Sequence, residues 1–411
     1  PAIFPGFPSG VPLADLSIPV NYAQGFGSPV VTSNANFFSL FAQNDLKLKP
    51  NLLIKAGIRY DLNRVQFMPD NNGNFSPRLA FSYRPGKLEK LNVHGSYGLF
   101  FGAPLTTLPF AAQIFGTGLI KLLVLPFPFS VLPFSLPNRR FPISDQIPSS
   151  ANFVPQLSQT LLMDKNIRNS YSQQTSVGMD YFINNNTAIS LSYSFVRGIK
   201  IIVPRNINPV VRPVIGNPLL SVLTGRVDPT QGNINQYQSA FDSYYHGATI
   251  AVNRRFSKRF GFFANYTFSK GIDNFIDIRT DLIETANSLR PGDERGLSLQ
   301  DARHRFVFSG VWELDYTKNA FLRDFKLSTI VNVNSGQPYN LLAGVDLNRN
   351  GDNPPGDRPL VGGVSIGRNT GVTPGFSNVD LRLERIVKIK ETYRIQALIE
   401  VFNLFNNVNI S

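Results

Sequence analysis

The sequence contains no cysteine, which excludes disulfide bonds and thiolate metal sites. Charged residues are also scarce, because they make up 16% of the chain against about 25% in a typical soluble domain. No uninterrupted apolar run reaches the roughly 18 residues that a membrane-spanning helix needs. The nearest candidate, residues 119–134, is interrupted by Pro126, Pro128 and Pro133 and is predicted to be loop. If this chain lies in a membrane, it crosses as β-strands.

Aromatic side chains are plentiful by contrast. The chain of 411 residues has 34 Phe and 14 Tyr, and its mean hydropathy of −0.07 shows that it is not apolar overall. Length alone would favour two or three domains, but a closed β-barrel is one long unit. The combination is typical of a barrel with one face in lipid, one wet face and polar loops.

The clearest structural unit is a predicted hairpin at residues 244–269. Apolar and polar residues alternate along both of its arms, which places successive side chains on opposite faces of a strand. A basic turn at residues 254–259 separates the arms. Each arm has about ten residues, the length of a tilted membrane-spanning strand. The aromatic residues predicted to face lipid are Phe260, Phe262, Tyr266 and Phe268.

Similar alternation predicts about twelve strands. They lie at residues 36–45, 52–61, 79–83, 91–99, 171–182, 187–196, 244–253, 260–269, 303–316, 322–334, 379–384 and 393–401. Short turns alternate with long loops, which are predicted at residues 102–168, 198–242, 270–301 and 336–375. Outer-membrane barrels have this asymmetry, with short periplasmic turns and long extracellular loops. We therefore predict an all-β fold, in which residues 35–411 form part of an antiparallel transmembrane β-barrel and residues 1–34 are irregular.

The net charge of +13 admits two interpretations. A dense basic patch would indicate nucleic-acid binding, but the basic residues are dispersed beside turns, as at Arg254, Arg255, Lys388 and Lys390. We therefore predict basic turns and a lumen that carries Lys and Arg, and no nucleic-acid partner.

Several segments resemble the barrel of TonB-dependent outer-membrane receptors, most closely the Oar-like branch. They are FFSLFAQNDLKLKPNLLIKAGIRYD (37–61), ANYTFSKGID (264–273), DARHRFVFSGVWEL (301–314), NSGQPYN (334–340), the loop at 346–359 and VFNLFNNVN (401–409). These segments occur in the family's order and span most of the chain.

The resemblance implies a monomer in the bacterial outer membrane that catalyses no reaction. By the family's mechanism, extracellular loops capture a ligand, a plug gates the lumen, and TonB–ExbB–ExbD energises uptake or export. Family members have about 22 strands, a plug and a TonB box, whereas this chain begins at Pro1 and stops just after FNLFNNVN. We therefore expect a C-terminal barrel fragment without the plug, the TonB box, the early strands and a closing strand. Its expected contacts are outer-membrane lipid and an unidentified extracellular ligand.

A loop at residues 346–357 is the most site-like segment. Oxygen ligands at alternate positions, Asp346, Asn348, Asn350 and Asp352, have the spacing of a calcium loop. Asp357 is the nearest later carboxylate and falls one position short of the usual bidentate ligand. The loop is either a calcium site or a turn held by its own hydrogen bonds.

A second candidate is the aromatic-rich loop at residues 102–168. Its Phe side chains could bind an apolar or glycan ligand, or they could pack the loop on itself over the barrel mouth. The residues concerned are Phe110, Phe115, Phe127, Phe129 and Phe134.

Two alternatives to a receptor stay open. A passive porin-like channel would have the same wall without energised gating. A barrel enzyme such as a phospholipase would need a Ser–His pair oriented by a third polar group. His94 is predicted to face the lumen, and Ser96 lies on the same strand face. His246 and His304 fall on other strands, without metal-ligand spacing. We predict no zinc site and no catalytic residue.

Overall fold

The structure is a computed structural model that describes residues 21–27, 30–116, 120–126, 158–215, 218–275, 287–314, 324–345, 347–348, 357–389 and 393–409. Within these ranges, no helix is both long enough and apolar enough to cross a membrane.

Twelve antiparallel strands form one sheet in which neighbours in sequence are neighbours in space. They are β1 (Ala35–Lys49), β2 (Leu52–Val65), β3 (Phe75–Tyr83), β4 (Leu91–Phe101), β5 (Tyr171–Asn184), β6 (Thr187–Asn206), β7 (Asn233–Ser257), β8 (Phe260–Asp273), β9 (His304–Leu314), β10 (Phe325–Asn334), β11 (Phe376–Ile389) and β12 (Tyr393–Val401). The predicted all-β antiparallel fold, with about twelve strands, is confirmed.

The sheet has two free edges. In the described part of the chain, β1 pairs with β2 alone and β12 pairs with β11 alone. Every residue of both edge strands is exposed. Unpaired backbone amides and carbonyls therefore lie along the whole of each edge.

The register steps regularly from hairpin to hairpin. Thr187 at the start of β6 pairs with Arg254, which pairs in turn with Phe262, two residues beyond the start of β8. Phe260 pairs with Trp312 and Trp312 with Leu327, again two residues beyond the start of the next ascending strand, β10. A stagger that repeats in this way is the geometric signature of strands tilted in a barrel wall.

One face of the sheet is apolar and has no protein layer over it among the described residues. Leu40, Leu79 and Ile250 are 58%, 53% and 48% exposed on this face. A soluble sheet would bury such a face against a second layer. The buried apolar cluster instead contains Leu108, Ile167 and Tyr237, at the end of the sheet where the long loops lie. The apolar face is therefore built to contact a non-aqueous surrounding.

Strands β6 and β7 run far beyond the length a membrane requires, with 20 and 25 residues. The predicted bounds of the loop at residues 198–242 are thus wrong at both ends. Asn206 pairs with Asn235, and only residues 207–232 connect the two strands. This connection includes helix α2 (Pro218–Thr224). The sequence did not predict the extension of β6, because proline in a strand interior argues against a strand and Pro204 lies there, opposite Tyr237.

The predicted loop at residues 102–168 also contains regular structure. Helix α1 (Thr107–Gly116) is followed by strands at Ile120–Pro126 and Ser158–Met163. Asn21–Gly27 pairs antiparallel with Ile120–Pro126, so the prediction of an irregular segment at residues 1–34 was wrong there. Ser158–Met163 pairs in parallel with the first residues of β7. These partners lie up to about a hundred residues apart, so no local pattern reveals them.

The remaining two long loops carry short elements. The loop after β8 has a 3₁₀ helix at Pro291–Glu294 and a strand at Gly296–Leu297 that pairs with the end of β8. The loop after β10 has two small hairpins, in which Pro338–Tyr339 pairs with Gly371–Val372 and Leu360–Val361 with Val364–Ser365.

The basic turn between β7 and β8 is a tight hairpin turn. Lys258 and Arg259 both have positive φ, 51° and 70°. A two-residue turn with positive φ at both positions matches the twist of the flanking strands and normally uses Asn and Gly. The chain places two bulky cations there instead, at a conformational cost.

Replacing Lys258 by Asn should relieve part of this strain, since Asn tolerates the left-handed region better than Lys. We expect the free energy of unfolding to rise by a few tenths to about 1 kcal/mol. Lys258→Val is the matched opposite, because a β-branched residue is strained at positive φ. Denaturant unfolding in detergent micelles measures both, and a Val variant as stable as the Asn variant would contradict the assigned turn.

Candidate functional site: the polar face and the loop layer above it

The second face of the sheet is polar, and its side chains bond to one another across strands. In the central part, Asp180 accepts a hydrogen bond from the hydroxyl of Ser190 at 2.6 Å and a longer one from Asn92 at 3.4 Å. Nε2 of His94 lies 3.5 Å from the same carboxylate. His94 thus lies on the polar face, as predicted.

Gly178 gives the His94 ring its position. A Cβ at residue 178 would lie 2.7 Å from Cε1 of His94, closer than a methyl group tolerates. The missing side chain lets the imidazole lie across β5 and reach Asp180. Ser96, the partner that an esterase-like pair would use, instead shares a 2.7 Å hydrogen bond with Ser176.

Two charged clusters flank this centre. On β1 and β2, Lys55 pairs with Asp45 at 2.8 Å and Arg59 with Asp61 at 2.9 Å. On β11 and β12, Arg382 lies 3.1 Å from Glu384 and 3.6 Å from Glu400. In these two clusters the cations are compensated by carboxylates on the same or the adjoining strand.

A cleft of about 520 Å³ opens beside the first cluster. Arg78 lines it, with its guanidinium 4.4 Å from the centre of the Phe100 ring. Gly98 makes room for this stack, since a Cβ there would lie 2.9 Å from the ring. The cleft presents a stacked cation, and its other lining groups include Gln43, Ser96 and Gln174. Such a surface suits an anionic or hydrogen-bonding group that passes along the polar face.

Above the polar face, buried ion pairs join the loops after β8 and β10. Arg368 pairs with Asp273 at the end of β8, and Arg358 pairs with Glu294 in the 3₁₀ helix. We call these four residues the inter-loop latch; their exposed fractions are between 1% and 6%. Arg368 also donates to the backbone carbonyls of Glu294 at 2.7 Å and Asp273 at 2.9 Å. The latch fixes the β10–β11 loop to the β8–β9 loop.

Sequence reasoning did not find the latch. Its members come from four separate segments, and the Arg368–Asp273 pair joins residues 95 positions apart. A sequence signal existed for two members only, since Asp273 ends the segment ANYTFSKGID and Arg358 lies in the loop at 346–359, both of which carry the family resemblance.

The predicted calcium loop is described in part. Asp346, Asn350 and Asp352 lie outside the described residues, and Asn348 and Asp357 lie within them. The Asp357 carboxylate accepts hydrogen bonds from the amides of Leu347 and Asn348 and from the Asn348 side chain, at 2.7, 3.0 and 2.7 Å. Across the described ranges, no cluster of three acidic, His or Cys residues suits a metal. The calcium site stays a prediction.

The predicted aromatic ligand site is also described in part. Phe110 and Phe115 are half-buried on α1, which packs against the strand Ser158–Met163. Phe127, Phe129 and Phe134 lie outside the described residues. Ligand binding by these rings stays a prediction.

The other two histidines face outward. His246 and His304 lie on the apolar face, where each Nδ1 is 2.7 Å from a tyrosine hydroxyl on the neighbouring strand, those of Tyr193 and Tyr266. Each ring also lies against a phenylalanine, His246 against Phe195 and His304 against Phe268.

The latch makes a specific prediction. Replacing Arg368 by Gln leaves Asp273 buried without its cation, which costs about 3–5 kcal/mol for a buried pair. We expect the free energy of local opening of residues 366–373 to fall by that amount. Hydrogen exchange at the amides of Ile366 and Thr373, which bond to Pro359 and Gln337, measures the change.

The control is the exposed pair Arg290–Asp293, 3.1 Å apart with side chains 72% and 53% exposed. Arg290→Gln should change the opening free energy by less than about 1 kcal/mol. Adding Asp273→Asn to the Arg368 variant should recover part of the loss. Equal effects at Arg368 and Arg290 would contradict a buried latch.

A glycine in NSGQPYN makes a second prediction. A Cβ at Gly336 would overlap the carbonyl oxygen of Thr373, next to the hydrogen bonds between Gln337 and Thr373. Gly336→Ala should therefore destabilise the docked loop by about 1–3 kcal/mol, seen as faster exchange of the Thr373 amide. Gly367→Ala is the control, because its Cβ would make an ordinary 3.7 Å contact with Thr370. Equal exchange in the two variants would exclude this close approach.

A family model described as outer membrane beta barrel domain matches residues 63–367. No curated protein matches the sequence.

Among solved structures, the chain is similar to the outer membrane transporter YddB from Escherichia coli, with a TM-score of 0.58, 9% identity, and coverage of 91% of this chain and 42% of that one. It is also similar to a mutant ferric enterobactin receptor (PfeA) from Pseudomonas aeruginosa in complex with enterobactin, with a TM-score of 0.51, 15% identity, and coverage of 91% and 40%. These likenesses show the fold. The chain spans about two fifths of the length of either structure.

Proposed function

The chain belongs to the outer membrane beta barrel domain family, and we propose that it forms part of the wall and the ligand-facing loops of a TonB-dependent receptor or transporter. In an outer-membrane barrel the apolar face of the sheet contacts lipid and the polar face lines the lumen. The turn between β7 and β8 then lies in the periplasm, and the inter-loop latch lies at the extracellular mouth.

The observation that carries the proposal is the ordered loop layer. Two long loops are tied to each other and to the end of β8 through the inter-loop latch. Burying four charges is costly unless their geometry is fixed, so these loops are held in shape above the lumen. A receptor needs a pre-shaped capture surface of this kind, because ordering loops during binding reduces affinity.

The polar face supports passage of a ligand and gives no support to catalysis. Ser190 and Asn92 both donate to the Asp180 carboxylate, and the Ser96 hydroxyl bonds to Ser176. A Ser–His nucleophile would need Ser96 oriented by His94. Similarity to a transporter and to a receptor in complex with enterobactin favours transport, although neither likeness assigns a ligand to this chain.

The free edges of β1 and β12 indicate that further strands complete the wall. Unsatisfied backbone groups in hydrocarbon cost several kcal/mol each, so we propose that both edges pair with further strands in the membrane. In this proposal residues 35–411 are one section of a larger wall, and a plug that engages TonB–ExbB–ExbD closes the lumen.

Transport in cells tests the proposal. We expect uptake of labelled ferric siderophores, cobalamin or oligosaccharides to fall at least tenfold when the gene for this chain is deleted, and equally when TonB is deleted or the proton gradient is dissipated. Ion conductance of the complete receptor, with its plug, should be negligible in planar bilayers without TonB. Steady conductance together with gradient-independent uptake would instead establish a passive channel.

A further inference from the structure

Three successive ascending strands repeat one arrangement on the lipid face. Tyr97, Tyr193 and Tyr266 are each the seventh residue of their strands β4, β6 and β8. A polar side chain on the following strand reaches each hydroxyl. Gln173 donates to Tyr97 at 3.1 Å, and Nδ1 of His246 and of His304 lies 2.7 Å from Tyr193 and Tyr266.

The three tyrosines lie at one height above the periplasmic turns. Each ascending strand starts two residues lower in register than the one before it, which is the stagger of a tilted wall. A rise of about 3.3 Å per residue and a tilt of about 40° place these rings roughly 15 Å above the turn end. The outward position four residues further along the strand is then about 25 Å up, where the apolar band of a barrel ends.

Two of the three strands place a cation at that upper position. They are Arg197 on β6 and Lys270 on β8. Lys270 pairs in register with His246, and Arg197 with Tyr244. The Tyr244 ring carries the guanidinium groups of Arg197 and of Arg295, 5.1 and 5.2 Å from its centre. Arg295 follows the 3₁₀ helix of the β8–β9 loop.

Positive charge on this surface exceeds negative charge. Asp242, 3.5 Å from Arg197, is the one carboxylate that pairs with any of these cations among the described residues. Lys270 has no carboxylate partner in the same part of the chain. Three cations against one carboxylate leave two positive charges at the boundary between hydrocarbon and headgroups, where an outward-facing cation needs an anionic partner.

We propose that the surface formed by Arg197, His246, Lys270 and Arg295 binds a phosphorylated lipid of the outer leaflet. A phosphate monoester supplies the two missing negative charges and accepts several hydrogen bonds from Arg and Lys. Its acyl chains would descend over the outward rings of Phe195 and Phe268, which pack against His246 and His304. The proposal rests on the chain's place in the outer membrane and is independent of transport.

Lipid retention by the purified full chain tests this. In native mass spectrometry from detergent, the chain should retain dioleoyl phosphatidic acid about tenfold or more over dioleoyl phosphatidylcholine. The variant Arg197→Gln with Lys270→Gln should lose that preference, because each surface cation contributes to binding an anionic headgroup. Lys270→Arg, which keeps the charge, should retain it.

The matched control is Arg254→Gln. Arg254 also lies on the lipid face, over the Phe260 ring at 5.9 Å, but at the periplasmic end. This variant should keep the preference for phosphatidic acid. An equal loss in the Arg254 variant, or no preference in the unmodified chain, would overturn the proposal.

A second measurement needs no variant. Phosphatidic acid should slow acetylation of Lys270 several-fold and leave Lys258 in the periplasmic turn unaffected. If the double variant does not fold, this footprint decides: equal acetylation of Lys270 in both lipids overturns the proposal. It also separates this proposal from the proposed function, because uptake and conductance do not enter it.

Discussion

Each backbone amide and carbonyl of a membrane-spanning segment needs a partner within the protein, because hydrocarbon supplies none. Between its two free edges, this chain meets the requirement with a ladder of neighbouring strands. The ascending strands from β2 to β10 are staggered by two residues per hairpin. The stagger determines the heights of side chains as well as the pairing of strands. It fixes which side chains share a height, so that Tyr193 and Tyr266, on strands with different partners, occupy equivalent positions in the membrane.

The same requirement explains which parts of the fold are readable from sequence. Within the membrane each side chain faces either lipid or water, so alternation is strict, and every wall strand was predictable from it. Outside the membrane both faces of a strand are wet or covered by loops. The outer parts of β6 and β7 therefore lose the alternation of apolar and polar residues, although the two strands remain paired. Pro204 argues against a strand in the sequence, yet it lies opposite Tyr237 within the paired region.

The candidate site was less predictable, for a related reason. Sequence reasoning found polar strand faces and a loop rich in oxygen ligands, which are local features. The inter-loop latch depends on contacts between Asp273 and Arg368, and between Glu294 and Arg358, none of them local. His94 was correctly placed on the polar face by alternation alone, but its approach to Asp180 depends on the absence of a side chain at Gly178 on another strand. Such complementarity becomes visible only when the register is known.

Charge compensation differs between the regions of the wall, and the difference indicates where partners are to be found. In the loop layer the four latch charges cancel within the protein, as burial demands. On the polar face Lys55, Arg59 and Arg382 have carboxylates within 4 Å, whereas Arg78 stacks on the Phe100 ring and faces the cleft. On the lipid face at the extracellular boundary, Lys270 and Arg295 have no such carboxylate among the described residues. Stacking on Tyr244 offsets only part of the cost of a cation at that depth, and the lipid phosphate proposed above would supply the missing anions.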